Sequence, residues 1–76
     1  MPHLTPVSRK KFEKFLNYIG CKLKRQKGDH LIYDREDLKR PVVFAIDKDI
    51  PVFIVRNNLR TLGMSPEEFL QILKKI

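Results

Sequence analysis

Apolar residues near the start of the chain recur at three- and four-residue spacing, which is the period of one face of an α-helix. They are Phe12, Phe15, Leu16 and Ile19. Ser8 precedes them as a suitable helix N-cap, and Gly20 follows them where a left-handed C-cap is expected. Thr5 followed by Pro6 offers a competing start three residues earlier. The pattern predicts a first helix between Ser8 and Gly20.

The hydrophobic period shortens to about two residues in the middle of the chain, as expected for β-strands. The predicted strands are Cys21–Lys24, Leu31–Tyr33 and Val42–Ile46. The last is an uninterrupted apolar run, typical of a buried strand. Turn residues at Lys27–Asp29 and Glu36–Arg40 separate the runs, and connections this short require antiparallel neighbours. The sequence therefore predicts a three-stranded antiparallel sheet.

Two further helices are predicted after Pro51. Their apolar positions are Val52, Val55, Leu59 and Leu62, then Phe69, Leu70, Leu73 and Ile76. Gly63 suits a C-cap, and Ser65–Glu68 combines an N-cap, a first-turn proline and a capping-box glutamate. Phe53 and Ile54 widen the first apolar stripe, which fits either additional core or a partner-binding patch. The element order predicts a two-layer α-β-β-β-α sandwich of the α+β class, with its helices on one sheet face and a short C-terminal helix.

Length and charge narrow the function. The 76 residues suit one domain, which we expect to span residues 1–76 with a core from about residue 8 to about residue 73. Sixteen Lys and Arg against nine Asp and Glu give a formal charge of +7, which favours an anionic partner. Charge alone does not separate RNA from DNA, an acidic protein or a membrane surface.

The sequence has few cysteines, no long apolar run and no motif for a metal or cofactor, and these absences give expectations about location and cofactors. Cys21 is the one cysteine, which excludes an intrachain disulfide and favours the reducing cytoplasm. The longest apolar run is too short to cross a bilayer, so no membrane association is expected. Two distant histidines and one cysteine lack metal-ligand spacing, and phosphate-binding glycine motifs are absent. We expect a metal-independent protein without a small-molecule cofactor.

His30 is the candidate for chemistry. It follows a hairpin turn that carries Lys24, Arg25 and Lys27. Transesterification of RNA requires one group to accept the 2′-hydroxyl proton, another to protonate the 5′-oxygen, and cations to stabilise the charge on phosphorus. Histidine titrates near neutral pH and suits either proton transfer. The other interpretation is an ordinary strand histidine, half-buried and hydrogen-bonded to backbone.

Arg56 and Arg60 are four residues apart on the second predicted helix, so they share one face. That face either follows a phosphate backbone or is simply solvated.

Four segments follow the pattern of a known family over roughly residues 8 to 73: Gly20–Cys21, Arg25–Tyr33, Asp49–Pro51 and Val55–Phe69. Through them the chain resembles the HicA family, also called YcfA-like, the toxin ribonucleases of HicA–HicB toxin–antitoxin pairs. The resemblance implies a double-stranded-RNA-binding-domain-like fold and cleavage of mRNA, with His30 as the functional histidine. It also implies a HicB-like antitoxin that covers the active surface and, in complex with the toxin, represses their operon.

The leading hypothesis is therefore an endoribonuclease toxin in which His30 acts as general base or acid on single-stranded mRNA. The expected RNA contacts are Lys24, Arg25, Lys27, Gly28, Arg56 and Arg60. One histidine does not fill both proton-transfer roles at once, and a lysine, a water or a substrate group must fill the other. The alternative is a non-catalytic RNA-binding module of the same fold.

Three departures from the family pattern bear on this choice. Asp29 replaces the usual serine before the histidine, which either repels an approaching phosphate or orients the imidazole. Phe53 and Ile54 replace the glycine and threonine that often open the second helix. Ile46 and Asp47 stand where a proline and a histidine often follow the third strand.

Overall fold

The structure, a computed structural model, describes residues 3–76. Its elements are β1 (Val7–Ser8), α1 (Arg9–Tyr18), β2 (Lys22–Lys27), β3 (His30–Asp34), β4 (Val42–Ala45), β5 (Asp49–Ile50), α2 (Val52–Leu62) and α3 (Pro66–Leu73). Strands β2, β3 and β4 form an antiparallel sheet in that order, and β1 pairs with β5 in a separate ribbon. The predicted α+β order and the double-stranded-RNA-binding-domain-like fold are confirmed. The ribbon was not predicted, because two-residue strands carry no periodicity.

Local capping residues set the helix ends. Ser8 and Ser65 each accept a hydrogen bond at 3.2 Å from the backbone N–H three residues further on. The first helix therefore begins after Ser8, not after Thr5. Gly20 and Gly63 close α1 and α2 with φ of 92° and 68°, a left-handed conformation that glycine adopts without steric penalty. All four predicted caps are confirmed.

The apolar core lies between the inner face of the sheet and the helices. Phe12 sits at its centre, with its ring 5.2 Å from that of Phe44 on β4 and 6.0 Å from that of Phe69 on α3. All three side chains are at most 2% exposed. Aromatic pairs at these distances add edge-to-face attraction to their burial. No helix of residues 3–76 has the length and apolar character needed to cross a membrane.

The outer face of the sheet is uncovered. On β4, Val42 and Phe44 point into the core and are at most 2% exposed, whereas Val43 is 38% exposed. The strand ends at Ala45, and Ile46 beyond it is 39% exposed. The prediction of a buried strand over Val42–Ile46 was therefore right for Val42 and Phe44 and wrong for Val43 and Ile46. Helices cover only one face, so successive residues alternate between core and solvent.

A hydrogen-bonded chain of side chains ties α1 to β3. The Tyr33 hydroxyl donates to Glu13 Oε1 at 2.6 Å, and Arg9 Nη1 donates to Glu13 Oε2 at 2.8 Å. Burial, together with the bond to the Glu13 carboxylate, raises the pKa of Tyr33 well above its usual range. Cys21 is also buried, which raises the pKa of its thiol.

Helix α2 lies along the open edge of β4. The Ile46 N–H donates to the Asp29 carbonyl at 2.7 Å, so the backbone groups of Ile46 face β3. Backbone groups of an antiparallel strand face the neighbouring strand at every second residue, and those of Val43, three residues earlier, therefore face away from β3. Asn58, 6% exposed, donates from Nδ2 to the Val43 carbonyl at 3.3 Å. This bond satisfies an edge carbonyl that the sheet leaves open.

Candidate active site at the first hairpin

A tight turn positions the candidate catalytic residues. Lys27 pairs directly with His30, so Gly28 and Asp29 form a two-residue loop. Gly28 has φ of 61° and Asp29 a negative φ, the φ pattern of a type II′ hairpin turn. A Cβ on Gly28 would meet nothing within 4 Å. The glycine is therefore required for its backbone conformation and not for space.

The His30 imidazole is exposed and lies beside the preceding side chain. Its Nδ1 lies 2.9 Å from Asp29 Oδ1, and the two side chains are 53% and 79% exposed. Among residues 3–76, no backbone group forms a hydrogen bond with the His30 side chain, although the alternative interpretation expected one. No residue among 3–76 forms a hydrogen bond with Nε2, so this nitrogen is available to a ligand.

Two of the three predicted hairpin cations share the outer face with His30. Lys27 is directly opposite it, and Arg25 pairs with Ile32, the next outward residue of β3. Lys24 lies at the irregularity between Leu23 and Arg25, where its Nζ is 3.6 Å from Asp34 Oδ2. Asp34 is at the far end of β3, so Lys24 is held away from His30.

A cleft of about 420 Å³ adjoins His30, between the open edge of β4 and the start of α2. Phe53 is 64% exposed at its rim, whereas Ile54 packs partly against the core. Of the two residues that widen the stripe of α2, only Ile54 packs against the core. Asp47 and Asp49 also line this cleft, so its β5 side repels a phosphate, and the hairpin side is the one that suits an anion.

Backbone groups contribute to the same cleft. Ala45 is opposite His30 and lines the cleft. The backbone N–H of Ala45, like the backbone groups of Val43 two residues earlier, faces away from β3 and points to the open edge of the sheet. No side chain among residues 3–76 accepts a hydrogen bond from it. Sequence patterns do not reveal this donor, because it belongs to the backbone and depends on strand register.

The two predicted α2 arginines are exposed on one helix face and have no acidic partner within salt-bridge distance in the described chain. Arg60 lines a second cleft at the far end of α2, and Arg56 lies one turn closer to His30. The structure therefore brings His30, Lys27, Arg25 and Gly28 together, with Arg56 and Arg60 extending away from them.

A family model described as the HicA toxin of bacterial toxin–antitoxin matches residues 9–64, which is more than half of the chain. No curated protein and no solved structure matches the chain. The matched range contains the hairpin, the cleft beside it and the whole of α2.

Proposed function

The chain belongs to the HicA toxin family of bacterial toxin–antitoxin systems, and from this membership we propose that it is an endoribonuclease that cleaves mRNA with His30 at the reacting phosphate. The observation that supports this most directly is the exposed imidazole, with Nδ1 2.9 Å from Asp29 Oδ1. Two outward cations, Lys27 and Arg25, adjoin it. These are the parts that metal-independent RNA transesterification requires.

In the proposed reaction, His30 Nε2 accepts the proton of the 2′-hydroxyl. The 2′-oxygen forms a bond to phosphorus, the bond from phosphorus to the 5′-oxygen breaks, and the 5′-oxygen takes a proton from Lys27 or from water. The products are a 2′,3′-cyclic phosphate and a 5′-hydroxyl. A positioned proton acceptor of this kind contributes about 10²- to 10⁴-fold to a rate.

Charge on the phosphoryl oxygens would be stabilised from two sides. Lys27 and Arg25 approach from β2, and the N–H of Ala45 approaches from the open edge of β4. Donors fixed before the reaction stabilise the transition state without the cost of reorganising. Gly28 keeps the turn free of a side chain, so the backbone of an RNA strand has room to pass.

Asp29 is proposed as a positioning residue. Its carboxylate lies 2.9 Å from Nδ1, and a proton on Nδ1 that turned toward it would leave Nε2 as the acceptor. Placing serine there, the usual family residue, would retain a hydrogen-bond partner but remove the charge. The replacement of serine by Asp29 is therefore compatible with catalysis.

The test is cleavage of 5′-labelled RNA by wild-type protein and by His30→Ala at equal folded concentration. We expect His30→Ala to lose at least about 100-fold in rate. His3→Ala is the matched control, because His3 is exposed and remote from the hairpin in sequence, and it should cleave normally. Undiminished cleavage by His30→Ala would refute the assignment.

A second candidate function is a non-catalytic RNA-binding module. The carboxylates of Asp29, Asp47 and Asp49 around His30 favour it, because they oppose the approach of the scissile phosphate. This function predicts intact RNA in the same assay. It also predicts a salt-sensitive affinity that His30→Ala barely changes.

Family membership implies an antitoxin partner, and we propose that it covers the surface beside His30. Phe53, Val43 and Ile46 are 64%, 38% and 39% exposed there. Exposed aromatic side chains are frequent anchors at protein interfaces. Phe53→Ala should weaken binding of the antitoxin without destabilising the free toxin, as calorimetric titration and urea unfolding would report.

A further inference from the structure

A second cleft, of about 710 Å³, lies between the β3–β4 loop and the C-terminal half of α2. Lys39 and Arg40 on the loop line it together with Arg60 on the helix. All three are exposed, and none has an acidic partner within salt-bridge distance among residues 3–76. Asn57 and Thr61 add polar side chains to the same wall. The cleft is therefore a polar groove with three available cations.

Among residues 3–76, Asp37 is the one carboxylate that lines the groove, and its charge is already paired. Asp37 accepts hydrogen bonds from Arg35 Nε at 2.6 Å and Nη2 at 3.1 Å. These bonds lower the pKa of Asp37 and raise that of Arg35. Arg35 Nη1 also donates to the Ile19 carbonyl at 2.9 Å. The loop is thus tied to the end of α1 by side-chain hydrogen bonds.

The helix dipole opposes an anion here but does not prevent its binding. The C-terminal end of α2 carries about half a negative charge. The N–H groups of Gly63 and Met64 donate to the carbonyls of Arg60 and Leu59, so two of the terminal carbonyls already have partners. Three cations exceed the remaining partial charge.

The groove and the hairpin lie at opposite ends of one surface. Strand β3 begins at His30, and Arg35, which lines the groove, directly follows its last residue. Five residues at the rise of a strand correspond to about 17 Å. Helix α2 runs between the same two ends, with Phe53 at the cleft beside His30 and Arg60 at the groove. Arg56 is exposed between them, so cations continue from one end to the other.

We propose that the groove of Lys39, Arg40 and Arg60 is a second binding site for RNA backbone phosphates. It would hold the strand about five nucleotides from the phosphate at His30, since a stacked strand advances about 3.4 Å per nucleotide. The spacing from the groove to a phosphate at His30 rests on the proposed function, whereas the binding site in the groove does not. Arginine and lysine in a polar groove suit phosphate oxygens, with arginine able to bind two at once.

The experiment measures binding of a fluorescent 2′-O-methyl RNA of about twelve nucleotides, which resists transesterification because it has no free 2′-hydroxyl. Anisotropy titrations at several salt concentrations compare wild type with the double variant Lys39→Gln/Arg40→Gln. Lys74→Gln/Lys75→Gln is the matched control, because it removes the same charge from exposed residues that line neither cleft.

Loss of two phosphate contacts should reduce the slope of log affinity against log salt by about 1.4. Over a tenfold change in salt, this difference in slope amounts to about 25-fold. If the variant and the wild type bind equally at 1 M salt, the variant therefore binds about 25-fold more weakly at 0.1 M. The control should keep the wild-type slope. Equal losses in both variants would overturn the proposal by showing only long-range attraction, and so would unchanged binding in the groove variant.

Two further measurements distinguish this proposal from an antitoxin-binding groove and from the proposed endoribonuclease activity. If the groove variant binds RNA normally but loses affinity for the antitoxin, the groove is a protein contact and the RNA site is refuted. Cleavage of unmodified RNA by the wild type is assayed in parallel. Absence of cleavage together with the predicted loss of binding would refute the endoribonuclease and support the groove.

Discussion

Replacing Asn58 by alanine tests how α2 is held beside the two clefts. Asn58 is the buried polar residue among residues 3–76, 6% exposed, and donates to the edge carbonyl of Val43 at 3.3 Å. Alanine would remove the donor while leaving the carbonyl under the helix. Both clefts border this contact between α2 and β4, so its strength bears on the whole proposed RNA surface.

The magnitude follows from the carbonyl that is left without a partner. An unsatisfied buried polar group costs about 1–3 kcal/mol, and the partial burial, 3.3 Å length and neutral partners of this bond argue against the upper end. We therefore expect Asn58→Ala to lower the free energy of unfolding by about 2 kcal/mol. In a domain of this size that loss lowers the thermal midpoint by roughly 8–16 °C.

Urea unfolding followed by circular dichroism measures the change, with the m-value checked for constancy. Asn57→Ala is the matched control, since Asn57 is the same residue type, one position earlier and exposed. Its backbone carbonyl, which accepts the Thr61 hydroxyl at 3.3 Å, is retained in the variant. The control should stay within about 0.5 kcal/mol of wild type. Equal stability of the two variants would refute the role given to Asn58.

Three other outcomes are expected. Tyr33→Phe removes a hydrogen bond to the Glu13 carboxylate and should cost about 1.5–3 kcal/mol in urea unfolding. Cys21 is buried with a raised pKa, so a thiol reagent should label it slowly in the native protein and rapidly in urea. Arg35 lowers the pKa of Asp37, so this pair adds stability above about pH 4 that is lost as the pH falls. Asp37→Asn should remove that part of the acid dependence of the urea midpoint.

Features of the fold that depend on residues close together in the sequence were predictable from the sequence. Ser8, Gly20 and Gly63 act through local hydrogen bonds and backbone conformation, and the helix ends follow them. The β1–β5 ribbon joins residues more than forty positions apart through two-residue strands, which no periodicity reports. The apolar run of β4 was misleading because partial exposure of Val43 depends on which sheet face the helices cover.

The candidate site divides in the same way. Lys27 and His30 are close because a two-residue turn joins them, so the sequence alone predicted their proximity. Lys24 looks equivalent to Arg25 and Lys27 in the sequence, but the irregularity in β2 places it beside Asp34. No local sequence pattern predicts this irregularity. The groove was missed because Arg60 meets Lys39 only through the packing of α2 on the sheet.

The distribution of charge along the proposed RNA surface has a mechanistic consequence. Carboxylates at Asp29, Asp47 and Asp49 surround the end that carries His30, whereas Lys39, Arg40 and Arg60 meet at the other end without acidic partners. If phosphates bind mainly at the cationic end, most of the binding free energy is gained away from the reacting bond. Enzymes use such remote binding to hold the reacting atoms in place. On this argument a strand too short to reach the groove loses the interaction that offsets repulsion at His30, so Asp29 can orient the imidazole without preventing a longer RNA from reaching it.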